Sequence, residues 1–202
     1  MTSVHTNVAD VVRFIIEIDK LKAVTRKVKP LTVDRYENPA EHSWQIALLA
    51  WSLAPFASAP VDIDRVVKLL LVHDIGEIDT GDTMAFVTEG MAERKKAERA
   101  AVERIFGLLP SAERNEMLAL WQEFEEERTP EARLAHAADR AMPVLLNLAN
   151  NGQSWRENGI TYDRVIARVG PQIEAGCPAL WEHLRLRLEQ EKANGWFMIS
   201  PT

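Results

Sequence analysis

The chain has 202 residues, of which 47% are hydrophobic and 27% charged, proportions that suit one folded domain able to bury a substantial core. Its formal net charge is -6 and its longest basic run is Arg94-Lys95-Lys96, so a nucleic-acid polymer is not the expected partner. One cysteine, Cys177, excludes an intramolecular disulfide and a thiolate metal cluster. No basic-then-apolar leader opens the chain, and no apolar run approaches the roughly 20 residues of a membrane span, so the cytoplasm is the expected location and no membrane is expected as partner.

Helical signals dominate in chain order. Over residues 8–24, Val8, Val11, Val12, Ile15, Ile16, Ile18 and Leu21 recur at helical spacing, with Thr6 and Asn7 as candidate caps. A polar stretch with Pro30 and Pro39 predicts a loop across 29–39, and Pro39 suits the first turn of a helix running towards Pro55. Pro60 and Asp62 open a third helix in which Val66, Val67, Leu69, Leu70, Leu71 and Val72 are apolar almost all round, a pattern expected of a buried helix. It ends near Gly76, and Gly81-Asp82 marks a loop. Charged amphipathic helices are expected over 89–107 and 111–127. Pro130 starts a helix of small residues (Ala132, Ala135, Ala137, Ala138, Ala141) suited to close helix packing, and 161–168 and 178–193 supply the last two. No strand alternation, internal repeat or domain break interrupts this series. The expected fold is all-α: a compact single-domain bundle of about seven or eight helices over residues 1–202.

The chemistry concentrates at the end of the apolar third helix, which delivers His73 and Asp74 in tandem. An ionised aspartate in such surroundings is costly unless a cation meets it. A lone buried histidine is more often a core residue bonded to a carbonyl, but this one has company. His42 sits early on the preceding helix, and Asp139 lies on the alanine-rich helix. Two imidazoles and two carboxylates from three helices form a mixed nitrogen and oxygen set suited to one divalent transition metal such as Co, Mn, Zn, Ni or Fe. Glu77 follows His73 by four residues, on the same side of a continuing helix, where a carboxylate could orient or deprotonate a water. No glycine-rich phosphate loop is present, and no serine or cysteine has an evident base.

The ordered set His42, His73-Asp74, Asp139 resembles the signature of the HD-domain metal-dependent phosphohydrolases. The extended run His73-Asp74-x-x-Glu77-x-x-x-Gly81-Asp82, the opening Glu41-His42-Ser43 and the stretch Asp139-Arg140…Asn147…Trp155…Gly159 are similar to the branch of bacterial 5'-deoxynucleotidases. The resemblance covers roughly residues 10–165. It implies that His42, His73, Asp74 and Asp139 bind the metal, that Glu77 handles the attacking water, that Asp82 faces the nucleotide sugar and that Arg26 meets the phosphate. Its pattern has a tryptophan after the arginine that helps select deoxyribose. Lys27 stands there in this chain, so a preference for 2'-deoxy sugars is not implied. Related proteins are commonly dimers, which makes a homodimer the expected assembly.

His136 lies on the same helical face as Asp139 and reads either as a packed histidine or as a further partner of the site. Trp155 is the one tryptophan placed near it, Cys177 reads as a structural thiol, and His5 and His183 have no supporting context. The expected function is phosphate release from a nucleoside 5'-monophosphate or similar small ester by metal-activated water. The rivals are a phosphodiesterase or pyrophosphohydrolase acting on a signalling nucleotide, and a non-catalytic nucleotide- or metal-binding module. Glu77 beside a complete ligand set argues against the inert module.

Overall fold

A computed structural model describes residues 8–87 and 89–197 of the chain, so Thr6, Asn7 and His5 lie outside the described residues. Its elements in order are α1 (Val8–Ile18), α2 (Pro39–Leu53), α3 (Ile63–Val72), α4 (Glu77–Thr80), α5 (Met91–Phe106), α6 (Ser111–Glu126), α7 (Pro130–Ala149), α8 (Gln153–Glu157), α9 (Tyr162–Gly176) and α10 (Pro178–Ala193). Single 3-10 segments follow α1 and α2, and there is no strand among the described residues. The eight helices of ten or more residues are the bundle that hydrophobic periodicity anticipates. Helices α4 and α8 are single turns with too few apolar positions to register as a period. None of the described helices is long and apolar enough to cross a membrane.

Helix α7 is the centre of the bundle. Thirteen of its 20 residues are buried, including Leu134, Ala135, Ala138, Ala141 and Val144. It divides two apolar clusters. One joins Phe14, Ile46, Val66, Leu69, Leu70, Phe106 and Leu134, and the other joins Val144, Trp155, Val165, Ile173, Trp181 and Leu188. Helix α3 is buried along Val66, Leu69, Leu70 and Val72, but Leu71 is half exposed, so the all-round apolar pattern overstates its burial by one face. Helix α9 runs eight residues beyond the expected end at 168 and carries Pro171 inside it. A proline removes one helical hydrogen bond, and here the burial of Val169 and Ile173 against α7 and α10 outweighs that loss.

The small residues of α7 serve the close approach that their size suggests. A Cβ placed on Gly176 at the end of α9 would overlap the carbonyl of Arg133 and lie 2.7 Å from Cβ of Ala137. Gly176→Ala should therefore lower stability by about 1–3 kcal/mol, the usual cost of overpacking. Chemical denaturation reads this directly, and an unchanged midpoint would show that the two helices can separate freely.

Candidate metal centre

Each side chain of the centre is placed by a local device. Asn38 and Glu41 form a reciprocal capping box, with Glu41 N donating to Asn38 Oδ1 (3.0 Å) and Asn38 N donating to Glu41 Oε1 (2.8 Å). With Pro39 in the first turn, the box starts α2 so that His42 points inward, fully buried. Beyond α3 the chain keeps turning through His73–Gly76 by 3-10 bonds such as Glu77 N to Asp74 O (3.0 Å), which aims His73, Asp74 and Glu77 at one cavity. Gly81, at φ +74°, reverses the backbone and sends Asp82 back to the same cavity. Asp139 comes from the middle of α7. There Pro143, lacking an N–H, leaves the carbonyl of residue 139 without its helical donor.

His42, His73 and Asp139 bring one donor atom each to within 4.8 Å of one another, all three buried. Asp139 Oδ1 is 3.0 Å from His42 Nε2 and 3.9 Å from His73 Nε2. Asp74 stands outside this triad. Its Oδ1 is 3.0 Å from His73 Nε2, while its Oδ2 accepts from Arg26 Nη1 at 2.9 Å, and that ion pair holds the carboxylate aside. Glu77 and Asp82 line the same cavity of about 500 Å³. Arg26 Nη1 also lies 3.7 Å from Asp82 Oδ1. The residues singled out in the sequence thus share one cavity wall, except His42, which stands behind it.

The donor set fits a divalent cation. His73 Nδ1 must donate to the carbonyl of Leu70, which accepts at 2.8 Å, so the neutral ring turns the lone pair of Nε2 towards Asp74 and Asp139. Nε2 makes no hydrogen bond of good geometry, although Asp74 Oδ1 lies 3.0 Å away. A lone pair facing carboxylates in a buried site calls for a proton or a metal ion. Burial alone would lower the His73 imidazolium, yet Asp74 and Asp139 outweigh it and hold its pKa above the ordinary 6.5. Asp139 is held well below its usual range, since Arg140 and both histidines overcome its burial. Burial, with Asp74 and Asp82 beside it, pushes Glu77 up to about 10. Burial likewise raises Asp82.

One member of the centre gives no readable sequence signal. Glu37, from the polar loop, is 1% exposed and places Oε2 at 3.3 Å from His42 Nδ1 and 3.2 Å from Arg26 Nε. A carboxylate behind the free nitrogen of a histidine is the usual way an imidazole ligand is oriented. Arg140 places Nη1 3.6 Å from Asp139 Oδ2. His136 proves to be a packed histidine: Nε2 sits 2.8 Å from the Phe124 carbonyl and its ring stacks on Phe124. Trp155 is buried in the second apolar cluster and lines the cavity, and Cys177 is buried beside the Phe56 carbonyl. Asn147, the conspicuous amide of α7, accepts from Ser154 N and Trp155 N and so builds the α7–α8 turn.

The signs of these shifts predict a pH response. His73 and Glu77 both titrate above their unfolded values of 6.5 and 4.5, so each stabilises the metal-free fold most at low pH and loses that contribution as pH rises. Asp139, held low, contributes fully throughout the neutral range. Metal-free protein should therefore be less stable at about pH 8 than at about pH 6, while the stabilisation gained from an added divalent cation should grow over that interval. Denaturation with and without chelator tests both slopes, and an equal metal effect at the two pH values would contradict the placement of His73 in the centre.

A family model described as an HD domain matches residues 18–181 of the chain. The chain is similar to the crystal structure of a predicted metal-dependent phosphohydrolase from Magnetospirillum magnetotacticum MS-1, with 39% identity, 96% of this chain and 100% of that chain covered, and a TM-score of 0.88. It is 30% identical over 109 residues to the 5'-deoxynucleotidase HDDC2 of Danio rerio, which is 54% of this chain and 53% of that protein. It is also 31% identical over 126 residues to the 5'-deoxynucleotidase Ent638_2835 of Enterobacter sp. (strain 638), covering 57% and 63%. The chain spans about half the length of the curated relatives it matches. With the family model laid over most of its length and a near-complete structural counterpart, the chain belongs to the HD-domain family of metal-dependent phosphohydrolases.

Proposed function

We propose that the chain hydrolyses phosphate monoesters of nucleosides, with His42, His73, Asp74 and Asp139 holding one divalent transition metal. The observation that carries this reading is the unpartnered Nε2 of His73, buried among carboxylates and opening on a cavity that also holds Glu77 and Arg26. When bound, a divalent cation lowers the pKa of water and neutralises phosphoryl charge. The chain supplies the remaining parts. Arg26, buried among Glu37, Asp74 and Asp82, offers a fixed planar fork to the phosphate. Glu77 takes the proton of the attacking water as the new P–O bond forms, and that proton then serves the departing alkoxide as the old P–O bond breaks. A carboxyl held near 10 is protonated at neutral pH and cannot act as a base, so its role requires added positive charge in the centre. Met84, Phe86, Val144 and Val169 line the cavity with the apolar surface a nucleobase needs.

Lys27 is exposed, its Nζ 5.9 Å from the centre of the Tyr36 ring, and it does not supply the aromatic surface of a tryptophan. Ribo and deoxyribo substrates are therefore both accepted in this reading, and the single buried cysteine suits a cytoplasmic setting. A homodimer is supported by the exposed stripe Trp44, Leu48 and Trp51 on one face of α2, together with Val8, Val12 and Ile16 on α1. Trp51→Glu should convert a dimer to monomer in light scattering, and a wild-type chain of monomer mass would remove the proposal.

Phosphate release from matched ribo- and deoxyribonucleoside monophosphates, paired with metal analysis, tests the catalytic reading. Glu77→Gln should keep its metal and lose about 10²–10⁴-fold in turnover with little change in substrate binding. Asp139→Ala should lose activity together with the metal. Near-normal turnover of a metal-replete Glu77→Gln protein would remove Glu77 from the proton transfer.

A further inference from the structure

A second cationic position opens on the same cavity. Arg140 follows Asp139 on α7, and Arg168 reaches in from the middle of α9. The two guanidinium groups meet at one neutral atom, Gln172 Oε1, which accepts from Arg140 Nε at 2.9 Å and from Arg168 Nη1 at 3.5 Å. Arg168 Nε donates to the carbonyl of Ala85 (2.6 Å), which anchors the loop that follows Asp82. Among the described residues, no carboxylate lies within ion-pair distance of Arg168, and the one nearest Arg140 is Asp139 at 3.6 Å. Both Nη atoms of Arg140 are without a hydrogen bond to any described residue. Glu127 stands behind the pair, bonded to the amide of Gln172 rather than to either arginine. This contrasts with Arg26, whose charge is met by Glu37, Asp74 and Asp82.

Two like charges sharing one amide oxygen in a half-buried wall repel each other, and burial beside Arg140 lowers the pKa of Arg168. An anion between them reverses that cost. The phosphoryl group to be cleaved already has the divalent cation and Arg26 to neutralise it, so this pair, met by Asp139 alone at 3.6 Å, is surplus to a monophosphate. We infer that Arg140, Arg168 and Gln172 form a second anion subsite, on the Asp139 side of the centre, which takes a second phosphate group of the substrate. The forks present planar N–H donors suited to phosphate oxygens, and Arg140 links the subsite directly to the centre through Asp139. The proposal rests on the phosphohydrolase reading and narrows its substrate class to esters that carry two phosphates. The second phosphate can be joined through a bridging oxygen, as in a nucleoside diphosphate, or borne on the far side of the sugar, as in a 3',5'-bisphosphate.

Calorimetric titration of the metal-loaded full chain with inorganic pyrophosphate and orthophosphate separates this proposal from the catalytic one. Wild-type protein should bind pyrophosphate about tenfold or more tightly than orthophosphate, as one charge-assisted contact implies. Arg168→Gln should collapse that ratio, Arg168→Lys should retain part of it, and Arg185→Gln on the surface of α10 should leave it intact. Kinetics on matched nucleoside 5'-monophosphate, 5'-diphosphate and 3',5'-bisphosphate then locate the second phosphate, since the preferred doubly phosphorylated ester should lose its KM advantage in Arg168→Gln. A lost ratio in a protein that hydrolyses no ester upholds the subsite and defeats the catalytic reading. A ratio unchanged in folded Arg168→Gln, or equal weakening of both anions, overturns the subsite even where monophosphates are turned over.

Discussion

Five carboxylates, from Glu37, Asp74, Glu77, Asp82 and Asp139, converge on a region where Arg26 meets three of them and Arg140 reaches Asp139 alone, at 3.6 Å. Removing each ionised carboxylate from water costs several kcal/mol, and mutual repulsion adds to it. The metal-free molecule meets this partly by protonation: His73 keeps its proton to higher pH and Glu77 is driven to about 10. A divalent cation bound by the unpartnered His73 nitrogen meets the same demand without the proton. The excess of buried negative charge therefore ties the stability of the fold to the chemistry of the centre.

The rest of the bundle is arranged so that this charge can be held in place. Helix α7 carries Asp139 at the boundary between the two apolar clusters, and its alanines let α9 approach closely at Gly176. The loop that carries Arg26 is fastened at both ends of the site. Arg26 N donates to the carbonyl of Glu37, Glu37 N to that of Val28, and Ser154 Oγ to that of Lys27. They set the Glu37 carboxylate 3.2 Å from Arg26 Nε and 3.3 Å from His42 Nδ1, a junction between the two. The same packing that buries Trp155 and Val169 gives the cavity its apolar wall, so core and binding surface share residues.

Most of this was legible where residue type and order carry information. His42, His73, Asp74 and Asp139 stand on or directly after helices whose apolar periods are plain, and their types alone suggest a divalent transition metal with mixed nitrogen and oxygen ligands. The detachment of Asp74 from the triad was not legible, because it depends on Arg26, which is 48 residues away in sequence. Glu37 was hidden for a related reason: an acidic residue in a polar loop looks solvated until the backbone folds it under a histidine. Helix α9 extends past the expected end at Arg168 and through Pro171, because burial of Ile173 against α7 is a tertiary effect that local sequence does not carry. The same extension carries Gln172, at which Arg140 and Arg168 meet.

The central claim is that one divalent cation satisfies the buried carboxylates through His42, His73, Asp74 and Asp139. Anomalous diffraction from crystals of the chain purified with its metal tests it most directly. The account predicts a single peak at roughly 2.0–2.3 Å from a nitrogen of each histidine and from an oxygen of each of Asp74 and Asp139. A metal-replete protein whose peak lies away from His73, with its Nε2 still unligated, would contradict it.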